Sequence, residues 1–125
     1  MRRFAATLVL LAGGLALAGG QTQLQVYFQS NLTQADYQKK VFAKVSAAWQ
    51  QPAKTPELGK KAVVQAVIGR DGKLLSTLVS TESGSKAWDE AALAAVKRAA
   101  PFERLPASFK PDTVEVHFHV AWAPK

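Results

Sequence analysis

The spacing of apolar residues predicts a helix followed by a β-hairpin in the middle of the chain. Over residues 34–50, apolar side chains recur at helical spacing and share one face: Tyr37, Val41, Val45, Ala48 and Trp49. Pro52 then ends the helix. Residues 62–68 and 74–81 contain many apolar and β-branched side chains, a composition that predicts two strands. Asp71-Gly72 between them predicts a tight two-residue turn with positive φ at both central positions.

A second helix and a final strand complete the pattern. Ser85 is the expected N-cap of a helix that Pro101 ends. The buried stripe of this helix is predicted to be Trp88, Ala91, Ala92, Ala95 and Ala99. The last strand, residues 113–122, alternates without interruption, and its predicted core side is Val114, Val116, Phe118, Val120 and Trp122. The order helix, strand, strand, helix, strand indicates an α+β sandwich of two layers.

The first twenty residues have the composition of an export signal. Residues 1–3 are basic at two of three positions, residues 4–18 are apolar, and Ala16-Leu17-Ala18 fits a cleavage motif of small residues. A membrane-spanning helix needs about 20 apolar residues, so the length favours a cleaved signal over a short membrane anchor. The predicted division is therefore a signal or anchor at 1–20, a linker at 21–35 and a domain at 36–125, located in the periplasm or cell envelope.

Composition argues against several classes of function. The 125-residue chain contains no cysteine, so it has no disulfide, no thiolate nucleophile and no cysteine-based metal site. Its net charge is +7, but the lysines are scattered among acidic residues, so we expect no nucleic-acid partner. Ser83 lies in a turn and has no nucleophile motif around it. We therefore expect a protein that is not an enzyme and that uses no cofactor.

The polar face of the last strand carries the strongest candidate for ligand chemistry. Glu115, His117 and His119 share that face. Two histidines two positions apart on a strand are able to ligate one zinc ion, although such a site needs a further ligand. A polar row on an uncovered sheet face is the simpler interpretation, so we predict no metal. The alternative function is a periplasmic domain that binds a ligand or metal with these three residues.

The ordered set of elements resembles the C-terminal domain of the TonB/TolA energy transducers of bacterial envelopes. The resemblance covers about residues 36–122, and it rests on Tyr37, Val41, Val45, Trp49, Pro52, Asp71-Gly72, Ser83-Gly84, Asp89, Ala91-Ala92-Leu93, Val96, Pro101-Phe102 and Leu105-Pro106. It implies a three-stranded antiparallel sheet with two helices on one face, in the order α-β-β-α-β. It also implies that the last strand lies at a sheet edge, where an extended segment of a partner is added as a further strand.

The resemblance implies a site and a kind of partner. The docking strand would be 113–121, and the partner-contacting residues would be Thr113, Val114, Glu115, Val116, His117, Phe118 and His119. The partner would be an outer-membrane receptor or a periplasmic protein segment, with a homodimer as an alternative and membrane contact only through residues 4–18 if they are uncleaved. A link to energy-dependent transport is also implied. However, only about 17 residues separate the apolar segment from the domain, and residues 4–18 contain no histidine. A stand-alone interaction module therefore fits better than an energised transducer.

The export signal makes a prediction about the N-terminus of the protein in the cell. If the signal is cleaved near Ala18 or Gly20, mass spectrometry of the envelope fraction will find a new N-terminus within residues 19–24. Recovery of intact Met1 from a membrane pellet would establish the anchored alternative instead.

Overall fold

The computed structural model describes residues 4–10 and 19–125, and this part of the chain forms five strands and two helices. In chain order the elements are β1 (Phe4–Leu10), β2 (Gly20–Phe28), α1 (Ala35–Ala48), β3 (Lys61–Gly69), β4 (Leu74–Thr81), α2 (Lys86–Ala99) and β5 (Thr113–Pro124). The two helices, the hairpin strands and the final strand lie where the apolar pattern predicts them.

All five strands belong to one antiparallel sheet in the order β1-β2-β5-β3-β4. The helices pack on one face, against the buried side of β5 formed by Val114, Val116, Phe118 and Val120. The predicted α+β class, with two helices and an antiparallel sheet, is confirmed. The predicted three strands and their order are wrong. Residues 19–125 alone contribute four strands, because β2 extends the sheet on the side of β5 that is remote from β3.

The segment predicted to be a linker, residues 21–35, contains most of β2. Every second residue of this strand points into the core, and the side chains of Thr22, Leu24, Val26 and Phe28 are buried. The intervening glutamines at 21, 23 and 25 lie on the face that the helices do not cover. Their polarity therefore marks one face of a strand and not a loop. Residues 21–28 of the predicted linker are therefore a strand of the sheet, and residues 29–34 connect that strand to α1.

The N-terminal segment is described only in part. Residues 4–10, within the predicted signal or anchor, form β1 and pair with β2. The predicted cleavage motif at 16–18 lies outside the described residues. Among the described residues, no helix has the length and apolar character needed to cross a membrane. The division of the chain into a signal or anchor and a domain stays a prediction.

The connection between β3 and β4 differs from the predicted two-residue turn. The Gly69 N–H donates to the Lys73 carbonyl at 2.8 Å, and the Gly72 N–H donates to the Gly69 carbonyl at 2.9 Å. The loop is therefore residues 70–72, a turn followed by Gly72 with φ of 91°. Asp71 does not have positive φ, and its carboxylate instead accepts the Lys73 N–H at 3.0 Å. A Cβ at position 72 would also lie 2.0 Å from the Phe102 carbonyl oxygen, so only glycine fits.

Trp88 closes one end of the core between α2 and the sheet. Its side chain is fully buried, and its indole N–H donates to the Val120 carbonyl at 2.9 Å. The ring meets those of Trp49 and Trp122 edge-on, with centroids 4.9 and 5.7 Å apart. Ser85 is the N-cap, as predicted, since its Oγ accepts the Trp88 N–H at 3.2 Å. In the predicted stripe Ala91 is only half-buried, whereas Val96 is fully buried.

Truncation of Trp88 tests this packing. We expect Trp88→Ala to lower the free energy of unfolding by about 3–5 kcal/mol, because it removes a fully buried ring and leaves a cavity. Trp88→Phe keeps an aromatic ring but loses the hydrogen bond to Val120, so its loss will be smaller. Urea denaturation followed by circular dichroism measures both. An unchanged midpoint for the alanine variant would contradict this account of α2.

Candidate functional site

The predicted docking strand lies in the interior of the sheet. β5 pairs with β2 from Gly20 opposite Pro124 to Phe28 opposite Val116, and it pairs with β3 on its other side. The predicted partner-contacting residues all belong to β5: Thr113, Val114, Glu115, Val116, His117, Phe118 and His119. The expectation that this strand has a free edge is wrong over residues 116–124, because β2 occupies the edge there. Contact between these residues and a partner stays a prediction.

The direction of the backbone groups in β2 follows from its bonds to β5. The Gln29 N–H donates to the Glu115 carbonyl at 3.0 Å, and the Lys125 N–H donates to the Gly19 carbonyl at 2.9 Å. In an antiparallel ladder such bonded pairs alternate with non-bonded pairs. The odd-numbered residues of β2 therefore bond to β5. The even-numbered residues direct their N–H and C=O groups to the outer side, where β1 lies.

The polar face of β5 is held by contacts within the protein. His117 Nε2 lies 2.5 Å from Glu115 Oε2, and the His117 side chain is only 14% exposed. The ring of His119 contacts that of Tyr27 in β2, with centroids 4.6 Å apart and planes inclined by 57°. These side chains link neighbouring positions of β5 and join β5 to β2. They form a row on the face of the sheet opposite to the helices.

The alternative function, a ligand or metal site, involves the same residues, Glu115, His117 and His119. The structure brings Glu115 and His117 into contact. Among the described residues, however, no group of three or more histidine, aspartate or glutamate side chains is arranged to hold a metal ion. Zinc sites in proteins use at least three protein ligands. The geometry therefore does not add the further ligand that the sequence lacks, and ligand binding on this face stays an untested alternative.

Helix α1 and the segment after it hold β2 in place on the core side. The Trp49 indole N–H donates to Thr22 Oγ1 at 3.2 Å, and that hydroxyl donates to Gln51 Oε1 at 2.8 Å. At the other end of the strand, the ring of Tyr37 meets that of Phe28 with centroids 6.4 Å apart. β2 is thus attached to α1 at both ends, as well as to β5 along its length.

The two edges of the sheet differ in character. On one side, β1 covers β2 from Phe4 opposite Phe28 to Leu10 opposite Thr22. On the other side, no described residue pairs with the outer side of β4. β4 contains neither a charged residue nor a proline. Because a free strand edge is a surface onto which another chain can add, these edges are the candidate functional sites.

Comparison with known proteins assigns the family. The family described as TonB C terminal matches residues 34–118. The chain belongs to this family. Domains of this family are protein-interaction modules that operate in the periplasm and cell envelope. No curated protein and no solved structure matches the chain.

The TonB C-terminal match begins immediately before α1 and ends at residue 118, so it includes α1, β3, β4, α2 and the first half of β5 but neither β1 nor β2. The resemblance implies that a partner adds at the edge of β5. A strand from outside the matched residues occupies this edge. Sequence reasoning missed this strand. The signal that identifies it is the alternation of glutamines with Thr22, Leu24, Val26 and Phe28.

The side chain of Tyr37 is an electrostatically unusual group beside β2. Burial, with a smaller contribution from the negative charge of Glu103, raises the pKa of the Tyr37 phenol from 10.0 to about 12. No described residue hydrogen-bonds its hydroxyl group. The folded protein therefore favours the neutral phenol and would have to bury an unsolvated phenolate at alkaline pH.

This shift predicts a difference in alkaline stability between the parent and Tyr37→Phe. The pKa of the Tyr37 phenol is raised in the folded state. Its contribution to the free energy of unfolding is therefore fully present below pH 10 and is lost as the pH rises from 10 to about 12. The phenylalanine variant will be at least as stable at pH 7, since it removes an unpaired buried hydroxyl. It will also lose less stability above pH 10. Equal pH profiles of the denaturation midpoints would refute this.

Proposed function

We propose that this chain is a non-enzymatic interaction module of the cell envelope that binds an extended segment of an envelope protein as an added β-strand. The proposed place of addition is the outer edge of β2. The observation that supports it is the β1–β2 ladder, in which residues 4–10 lie antiparallel along β2. An edge that accepts one extended segment in regular register has the backbone geometry to accept another.

Direct addition to β5 is the costlier route. A partner would first have to remove β2, whose Leu24, Val26 and Phe28 are buried in the core. Burying one such side chain is worth about 1.5–3 kcal/mol. Displacement would also break the hydrogen bond from Trp49 to Thr22. A partner strand would have to compensate for all of these losses, whereas addition outside β2 leaves the core intact.

Export would free the proposed edge. If the predicted signal is cleaved near Ala18 or Gly20, β1 is removed. The outward N–H and C=O groups of β2 then lose their hydrogen-bonding partners; they belong to Thr22, Leu24, Val26 and Phe28. A partner strand would then satisfy these groups by main-chain hydrogen bonds, which supply affinity in strand addition. The partner's alternate side chains would lie on the helix-covered and uncovered faces of the sheet, and these contacts would supply specificity.

The predicted site residues of β5 then have a supporting role in the proposal. They lie one strand inward from the added segment. The ring contact between His119 and Tyr27 and the contact between His117 and Glu115 stabilise the uncovered face beside β2. Envelope proteins such as outer-membrane receptors are the class of partner that the TonB C-terminal family indicates. Energy-dependent transport is the process that such a partner would connect to this module.

Engineered disulfides are able to test where a partner adds, because the chain has no cysteine of its own. One variant, Thr7→Cys with Gln25→Cys, joins β1 to β2 at paired positions. A second, Gln23→Cys with Ala121→Cys, joins β2 to β5 at paired positions. Directly opposed residues in an antiparallel ladder have Cα atoms about 4.5–5.5 Å apart, within the range that a disulfide bridges.

The measurement is capture of envelope proteins by each immobilised variant, compared with the parent lacking residues 1–18. We expect the β1–β2 crosslink, which fixes β1 over the edge, to abolish capture, and we expect reduction, which lets a partner displace β1, to restore part of it. The β2–β5 crosslink, placed in the chain lacking residues 1–18, will leave capture unchanged. The matching single-cysteine variants control for the substitutions themselves. Loss of capture by the β2–β5 crosslink would assign the partner to β5. Full capture by the β1–β2 crosslink would exclude the outer edge of β2.

A further inference from the structure

We propose that β4 is a self-association edge, where two copies of this chain pair their β4 strands antiparallel about a twofold axis and form one continuous sheet. This surface is at the opposite side of the sheet from β2. The inference does not depend on the proposed partner site, and either can fail while the other stands.

The edge of β4 lacks the features that protect free strands. Native proteins protect free strands with charged side chains, prolines or coverage by other segments. β4 is eight residues long and has none of these protections within residues 74–81: its sequence is LLSTLVST, and no described residue pairs with its outer side. The side chains of Leu75 and Leu78 are 57% and 54% exposed. An unprotected edge with exposed leucines is suited to a second strand.

The backbone groups of β4 alternate between the side of β3 and the free side. The bond from the Gly69 N–H to the Lys73 carbonyl shows that odd-numbered residues of β3 bond towards β4. The pairing of Gln65 with Leu78 is therefore a bonded pair, so Leu78 directs its N–H and C=O groups inward. Its neighbours Thr77 and Val79 direct theirs outward. These two residues are the ones that can bond to a new strand.

These directions define the register about the twofold axis. When Leu78 lies opposite Leu78 of the second copy, Thr77 of each copy lies opposite Val79 of the other. Both flanking pairs then exchange main-chain hydrogen bonds. The two Leu78 residues form a non-bonded pair, in which side chains approach most closely. Register irregularities in the β3–β4 pairing occur between Val63 and Val64 and between Val67 and Ile68, so the regular part of β4 is its centre.

Charge identifies the occupant as a second copy in antiparallel orientation. β4 is flanked by Lys73 at its start and by Glu82 at its end, and both are exposed. The Lys73 ammonium also lies 3.8 Å from the exposed carboxylate of Asp71. Antiparallel pairing brings Lys73 of each copy near Glu82 of the other, whereas parallel pairing would place like charges together. Such charges at the rim set orientation more than strength. The strand is thus complementary to itself, and the symmetric contact closes at two copies.

The expected dimer is weak. A contact made by one strand from each copy belongs to the small class of interfaces, below about 1,200 Å² of buried surface. The fraction of dimer should therefore rise with protein concentration. Analytical ultracentrifugation of the purified full chain across a range of concentrations measures this, and a parent chain that stays monomeric throughout the range would overturn the proposal.

Charge substitutions at the axis give the sharper test. Leu78→Lys and Leu78→Glu each place like charges directly opposite one another, so each variant alone should be monomeric. An equimolar mixture of the two should form dimers again, because lysine then faces glutamate. The matched control is Leu58→Lys, since Leu58 is also 54% exposed but lies outside β4, and it should dimerise like the parent.

Each outcome decides the assignment. Monomeric single variants, with dimers restored by mixing, would support pairing at Leu78. If either single variant dimerised as strongly as the parent, or if the mixture stayed monomeric, self-association through β4 in this register would be wrong. Circular dichroism of the variants separates loss of the dimer from loss of the fold, and an unfolded lysine variant would shift the test to Leu78→Ser, which should weaken the dimer without adding charge.

Discussion

The structure depends on the pairing of β5 on both of its sides. One side of this strand pairs with β3 over residues 113–121 and the other with β2 over residues 116–124, so the backbone groups of residues 116–121 are satisfied within the sheet. Its buried side chains then form the centre of the layer on which both helices rest. Trp88 connects α2 to β5, because its indole N–H donates a hydrogen bond to the Val120 carbonyl. Without β2, half of the main-chain partners of β5 would be missing.

β2 also completes the core beneath α1. Leu24, Val26 and Phe28 lie among the fully buried side chains, and Tyr37 and Trp49 of α1 and its exit contact the same strand. The TonB C-terminal match does not include this strand. The segment before the matched residues is therefore part of the domain's core, and the module is larger in physical terms than the family pattern alone indicates.

The two faces and two edges of the sheet have different roles. One face is covered by helices and supplies stability. The other face carries an ordered polar row in which Glu115, His117 and His119 are engaged with neighbours. At the edges, β2 is covered by β1, while β4 has no covering strand among the described residues. The two edges are therefore unequally protected, and the proposed partner strand and the proposed second copy would each add to a different one.

The sequence by itself determined the elements that depend on local pattern. Helical spacing in residues 35–48, the alternation of 113–122, the cap at Ser85 and the glycine at 72 each follow from short-range stereochemistry, and all lie where the pattern predicts. The residues that carry the family resemblance also lie in elements that short-range stereochemistry determines. The loop at 70–72 is one residue longer than the Asp-Gly pair predicts, because its length depends on how the two strands meet.

Only the tertiary structure decided which strand lies at an edge. The alternation of β5 is compatible with an edge or a central position, because an antiparallel strand buries one face in either place. The deciding partner is β2, about ninety residues away in sequence, whose glutamines resemble a linker until their neighbours are seen to be buried. Strand order depends on long-range pairing that no local pattern encodes, so the edges available to partners could not be read from the chain.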